Sequence, residues 1–168
     1  VNMNFSDWLS IVVVCIFGAI SPGPSLSVVF HNTISGGRIR GVYTGLGHGV
    51  GITIWASLTV AGIGLIITEK PNLYAVIRYA GSAFLVYLGV KMFLSKSNKT
   101  FDLINSREDS SGNALFDGFL IAITNPKIAL FFLALFSQFI LPNAPFRDKI
   151  LLASTAGVID AAWYILVA

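Results

Sequence analysis

Ile20-Ser21-Pro22-Gly23-Pro24 cuts an apolar run that extends from about Trp8 to Phe30, and Thr124-Asn125-Pro126-Lys127 cuts another from about Leu115 to Leu141. Runs of around 20 apolar residues suit helices that cross a bilayer. A proline within such a helix has no N–H to donate and collides with the preceding turn, so both helices are expected to kink or unwind inside the hydrocarbon. Main-chain groups freed there cannot be satisfied by lipid, and non-helical chain persists only against protein or a wet cavity. Prolines that merely kink helices for packing are the plainer alternative, which fits a single break better than a matched pair.

Outward from the breaks, further apolar spans run from about Gly41 to Ile67, from Leu73 to Leu94 and from Ile150 to Ala168. They are separated by the basic turn Ser35-Gly36-Gly37-Arg38-Ile39-Arg40, by Glu69-Lys70-Pro71-Asn72, by a polar stretch at 95–113 and by Pro142-Asn143-Ala144-Pro145. Hydrophobic residues make up 55% of the 168 positions and charged residues 11%, against roughly 25% charged in a soluble domain. The mean hydropathy is +0.77. The expected fold is all-α, a polytopic membrane helix bundle that forms one transporter domain over residues 1–168. The first run lacks a basic leading segment and is followed by further spans, so it reads as part of the mature fold rather than a cleaved signal.

The spans fall into two units, about 5–94 and about 114–168, joined by the linker at 95–113, and each unit opens on a broken helix. A three-span unit has odd parity, so the second copy enters the membrane in the opposite direction, the inverted-repeat logic of secondary transporters. The final span is still apolar at Ala168, so the second unit reads as incomplete, with a sixth helix missing from this chain. Arg38, Arg40, Lys96, Lys99 and Arg107 gather on one side and Lys70, Arg147 and Lys149 on the other. The more basic side is expected in the cytoplasm, which puts the N-terminus outside.

Freed helix N-termini can hold a carboxylate, and unwound carbonyls an ammonium group or a proton carrier. An amino acid has both complements, so Ser21, Pro22, Gly23, Pro24, Asn125, Pro126 and Lys127 are the expected substrate pathway. Asp160 joins them, because a lone charge inside a span costs at least about 2.5 kcal/mol and finds a partner or water. Lys127 and Asp160 are expected to face one central cavity, with Asp160 binding an ammonium or passing a proton and Lys127 attracting a carboxylate or holding Asp160 ionised. A purely structural ion pair is the alternative. His48 is either a proton relay or a hydrogen-bonding partner of a neighbouring helix, and His31 belongs at the membrane interface.

Gly41, Gly45 and Gly49 recur at four-residue intervals, with Gly47 and Gly51 as a second pair. Such stripes let helix backbones approach closely, and with Gly81 they are assigned to packing. Trp163 and Tyr164 are of interest for their nearness to Asp160, whereas Trp8, Trp55, Tyr43 and Tyr74 suit interfacial anchoring.

Several functions are excluded. Cys15 is the only cysteine, so no paired-thiol carrier or disulfide can be built, and no clustered soft-metal site is visible. The formal charge of +3 and pI near 9.2 come from residues between spans rather than a nucleic-acid surface. Phosphate-loop, zinc-hydrolase and serine-hydrolase motifs are absent from the sequence, so no enzyme activity, cofactor or bound metal is expected.

Pro22-Gly23-Pro24, Gly37-Arg38, Gly41, Gly47, Gly51 and Gly64-Leu65 resemble the N-terminal signature of LysE/RhtB exporters. Gly81, Phe84-Leu85, Tyr87-Leu88-Gly89, Phe116, Gly118, Asn125-Pro126-Lys127 and Gln138-Phe139 are similar to the family's third and fourth spans, and Asp160 with Trp163-Tyr164 to its fifth. Phe84 stands where the family often has Tyr, and Ser137 where a proline often precedes Gln-Phe. The resemblance implies a six-span protein of the bacterial inner membrane that exports amino acids or their derivatives from the cytoplasm, driven by the proton or charge gradient. Its partners would be a small-molecule substrate, protons and lipid, with a homo-oligomer compatible. Export of a metal ion or another small solute, and a non-transporting membrane scaffold, are the competing readings.

Overall fold

The structure, a computed structural model, describes residues 3–94, 113–139 and 144–168. Every regular element among them is a helix: α1 (Phe5–Ile20), α2 (Pro24–Glu69), α3 (Pro71–Leu94), α4 (Ala114–Thr124), α5 (Pro126–Phe139) and α6 (Phe146–Val167). The linker at 95–113 lies outside the described residues as far as 112, as do Pro142 and Asn143 of the later turn.

The two breaks share a local cause. After α1, Ser21 and Gly23 adopt extended backbone, and Pro24 begins α2. After α4, Asn125 is extended, its Oδ1 accepts the Lys127 N–H at 3.0 Å, and Pro126 begins α5. Proline is pre-organised for the first helical position, where its missing N–H would have no partner anyway. Pro24 and Pro126 therefore restart helices rather than only ending them. The α4–α5 pair bends by 59°.

Within α2 only Gly37 leaves helical geometry, with φ 80° and ψ 172°. Across this point Asn32 Nδ2 donates to Thr44 Oγ1 at 3.0 Å over a separation of 12 residues. A straight helix would hold those residues about 18 Å apart at roughly 1.5 Å per residue, so α2 doubles back into two antiparallel arms. The turn expected over Ser35 to Arg40 is thus a single residue, because glycine adopts this conformation at little steric cost while its neighbours stay helical. A Cβ at Gly37 would meet nothing within 4 Å, so Gly37→Ala isolates conformational strain. It is expected to cost about 1–3 kcal/mol, read as a lowered unfolding midpoint in detergent; an unchanged midpoint would refute the strain.

Contacts set the helix directions. Met3 N donates to Asp148 Oδ2 at 2.9 Å and Trp8 Nε1 to Thr155 Oγ1 at 3.2 Å, so α1 and α6 are parallel. Gly45 meets Tyr164 and Gly49 meets Gly157, so the second arm of α2 runs antiparallel to α6. Gly47 meets Leu115 and Gly51 meets Ala122, so the same arm runs parallel to α4. It follows that α1 and α4 cross in opposite senses. On the periphery α3 lies antiparallel to α5, since Tyr74 Oη donates to the Ser137 carbonyl at 2.8 Å while Gly81, further along α3, meets Ala134.

Segments Pro71–Lys91 and Phe146–Val167 are long and apolar enough to cross a membrane, as is the bent α4–α5 pair; Pro24–Ile63 also passes by length and composition but is folded back at Gly37. α1 has 16 residues, short of the roughly 20 needed alone. It packs on α6 and α5 rather than alongside α2, so the chain runs on through the Ser21–Gly23 break into the first arm of α2. The surface is apolar: Tyr79, Phe93, Leu58 and Leu166 are all more than 60% exposed. Asn32, Thr44, His48, Ser137 and Asp160 are buried. An apolar exterior around a polar interior is the arrangement expected where lipid is the solvent.

Candidate functional site

The breaks touch. Lys127 Nζ donates to the Ser21 carbonyl at 3.1 Å and to Ser21 Oγ at 3.0 Å, with the Pro22 carbonyl at 3.5 Å. Asn125 Nδ2 donates to Ser25 Oγ at 3.3 Å. The Ser21 carbonyl is one that α1 leaves free where its helical geometry ends, and the Lys127 ammonium satisfies it in place of water. Lys127 reaches it from the first turn of α5 because Asn125 caps that turn. Each break thus supplies what the other lacks.

These groups line a cavity of about 50 Å³ at the junction of α1, α2, α5 and α6. On α6, Ala156, Asp160 and Tyr164 recur every four residues and present one face to it, while α1 contributes Cys15 and Gly18. At Gly18 an added Cβ would lie 2.6 Å from the tip of the Phe131 ring, which would have to move. The volume, room for a few waters, is well below the roughly 300 Å³ at which small-molecule pockets begin.

Of the residues expected to form the pathway, Ser21, Gly23, Asn125, Lys127 and Asp160 line this cavity. Pro22, Pro24 and Pro126 are exposed and do not line it: the rings shape the breaks from outside, and only the Pro22 carbonyl is turned toward Lys127. Lys127 and Asp160 share the cavity, yet the close partner of Asp160 is His48 rather than Lys127. Asp160 Oδ2 lies 2.6 Å from His48 Nδ1, and both side chains are over 90% buried. The Tyr164 ring stands edge-on to His48 at 4.7 Å, and His48 Nε2 is buried with no hydrogen-bond partner. Ser25 and Cys15 line the cavity without belonging to the expected pathway, and of Trp163 and Tyr164, of interest for their nearness to Asp160, Tyr164 lines it. For Ser25 a signal existed, since it follows Pro24 as Lys127 follows Pro126.

The glycine stripes divide between two neighbours. Gly41, Gly45 and Gly49 face α6, and Gly47 and Gly51 face α4. A Cβ on Gly47 would collide with the Leu115 carbonyl, and one on Gly118 with the Thr44 carbonyl. Gly49 and Gly157 are reciprocal, each Cβ position lying 3.0 Å from the other's carbonyl oxygen. Gly81 meets Ala134 of α5 at 2.8 Å. The close approach of these backbones carries His48, between Gly47 and Gly49, to Asp160.

Two interrupted helices joined across a small polar cavity, inside a bundle whose outer face is apolar, define a polytopic membrane protein with its site in the protein interior. The sequence model of LysE type translocators matches residues 16–168. The chain belongs to the LysE type translocator family. It is 29% identical over 166 residues to the uncharacterized membrane protein YrhP of Bacillus subtilis, covering 94% of this chain and 79% of that one. With a leucine efflux protein of Klebsiella pneumoniae it shares 30% identity over 138 residues, covering 82% of this chain and 65% of the other. An uncharacterized membrane protein of Haemophilus influenzae is 28% identical over 163 residues, with coverages of 95% and 77%. No solved structure matches the chain.

Proposed function

We propose that this chain forms the core of a secondary exporter that moves amino acids or their derivatives out of the cytoplasm across the bacterial inner membrane at the expense of the proton gradient. The observation that carries the reading is the junction of the two breaks: Lys127 held against Ser21, Asn125 against Ser25, and Asp160 lining the same cavity. Such a site offers a cation to a carboxylate and an anion to an ammonium, the two ends every α-amino acid presents. The opposite senses of α1 and α4 support an inverted repeat of two units, about 5–94 and 114–168. Arg38, Arg40, Lys96, Lys99 and Arg107 on the linker's side, against Lys70, Arg147 and Lys149 on the other, support a cytoplasmic linker. Membership of a translocator family, and relatives named for leucine efflux, support the cargo.

The test is exit of radiolabelled amino acids from proteoliposomes loaded singly with a panel that includes L-leucine. At least one member is expected to leave faster than from protein-free vesicles and to exchange with unlabelled amino acid outside. No carrier-dependent flux for any member would remove the reading.

A further inference from the structure

The Asp160 carboxylate is held at 2.6 Å by His48 Nδ1, in a cavity whose walls also bear Lys127 and Ser21. We infer that Asp160 is a site used in turn by a proton carried on His48 and by the ammonium group of the substrate, so that loading of substrate expels the proton and each amino acid leaves in exchange for one proton. The inference rests on the exporter reading and deepens it.

Three observations converge. With His48 neutral and its Nδ1–H donated to Asp160, Nε2 is a bare acceptor, and it has no partner in the structure; it is where a proton can be added without breaking the bond to Asp160. The pair is over 90% buried, where an uncompensated charge is costly. Asp160 lines the same cavity as the two breaks, and that cavity must widen before a solute held at the breaks meets its carboxylate.

Other groups near the pair do not replace it. From α6, Tyr164 offers a ring edge; from α4, Gly118 offers main chain. Cys15 of α1 and Lys127 of α5 share the cavity, and Asp117 is bonded to Asn32 at 3.2 Å. Lys127 is occupied by Ser21. His48 is therefore the one group among these that both touches Asp160 and has a ring nitrogen free to take up a proton.

When protonated, His48 and Asp160 sum to zero and Lys127 is the remaining positive charge. When the substrate arrives, its ammonium takes the place of imidazolium beside Asp160, its carboxylate faces Lys127, and the proton on His48 leaves to water on the side from which the substrate came. The sum falls from +1 to 0 by the one proton released, because the zwitterion brings no net charge. Imidazolium and ammonium compete for the single Asp160 carboxylate, and that competition couples the two.

Proteoliposomes loaded with radiolabelled L-leucine, or with the fastest member of the panel if leucine does not leave, test it. Wild-type exit should accelerate at least about fivefold as external pH falls from about 8 to 6, the range in which histidine changes charge. His48→Gln retains a donor to Asp160 but takes no proton, so it should lose that response and lose less amino acid exchange than Asp160→Asn. Asp160→Asn should lose both, with exchange down about tenfold or more, at a melting temperature like that of His48→Gln. A retained pH response in His48→Gln, exchange lost equally in both variants, or wild-type exit indifferent to pH would overturn the inference while leaving the exporter intact. No flux of any amino acid through the wild type would overturn both.

Discussion

Lys127→Met is expected to reduce transport ten- to a hundredfold. Methionine keeps the length and apolar stem but removes the three N–H donors, leaving the carbonyls of Ser21 and Pro22 without the ammonium that meets them. A hydrogen bond to a charged group contributes about 1.5–3 kcal/mol, which sets the range if the contact is needed in the transporting state. The loss should appear in the dependence on substrate concentration as well as in rate, because the same ammonium would receive the carboxylate. Transport within twofold of wild type at equal protein level would sink the role. A loss explained by a lower melting temperature alone would leave Lys127 as a clamp between the breaks and nothing more.

Gly118→Val should be the most destabilising single change, at about 3 kcal/mol or more, beyond the usual 1–3 kcal/mol of core overpacking. The added Cβ would collide with the Thr44 carbonyl and lie 3.0 Å from the His48 nitrogen, both main-chain groups that no rotamer change can move. Gly47→Val repeats the collision from the other side, against Leu115. Gly62→Ala and Gly89→Ala are the controls, because a Cβ at either meets nothing within 4 Å. They should be neutral or mildly stabilising, since alanine exceeds glycine in helix propensity by about 1 kcal/mol. Equal melting temperatures for the glycine variants and the controls would refute the backbone seam.

The breaks were legible in the sequence because proline and its neighbours act locally. Pro24 and Pro126 announce a restart wherever the chain goes, and Asn125 beside Pro126 carries its own cap. The Gly37 turn was legible in position but not in width, since what limits it to one residue is the close return of Thr44 on Asn32. The pairing of His48 with Asp160 was not legible. It depends on the antiparallel register of α2 and α6, which the glycines at 45, 49 and 157 set only once the helices have met. Charge counting alone offered Lys127 for Asp160, and the break took Lys127 first.

The seam between α2, α4 and α6 has a consequence for how such a protein holds together in a solvent made of oil. An acyl chain can stand in for leucine against almost any greasy surface, so apolar side chains give a membrane helix little reason to prefer protein to lipid. It cannot approach as closely as the Leu115 carbonyl approaches Gly47. Cohesion along this line comes from the atoms glycine omits, and lipid has no means of competing for a gap it is too thick to enter.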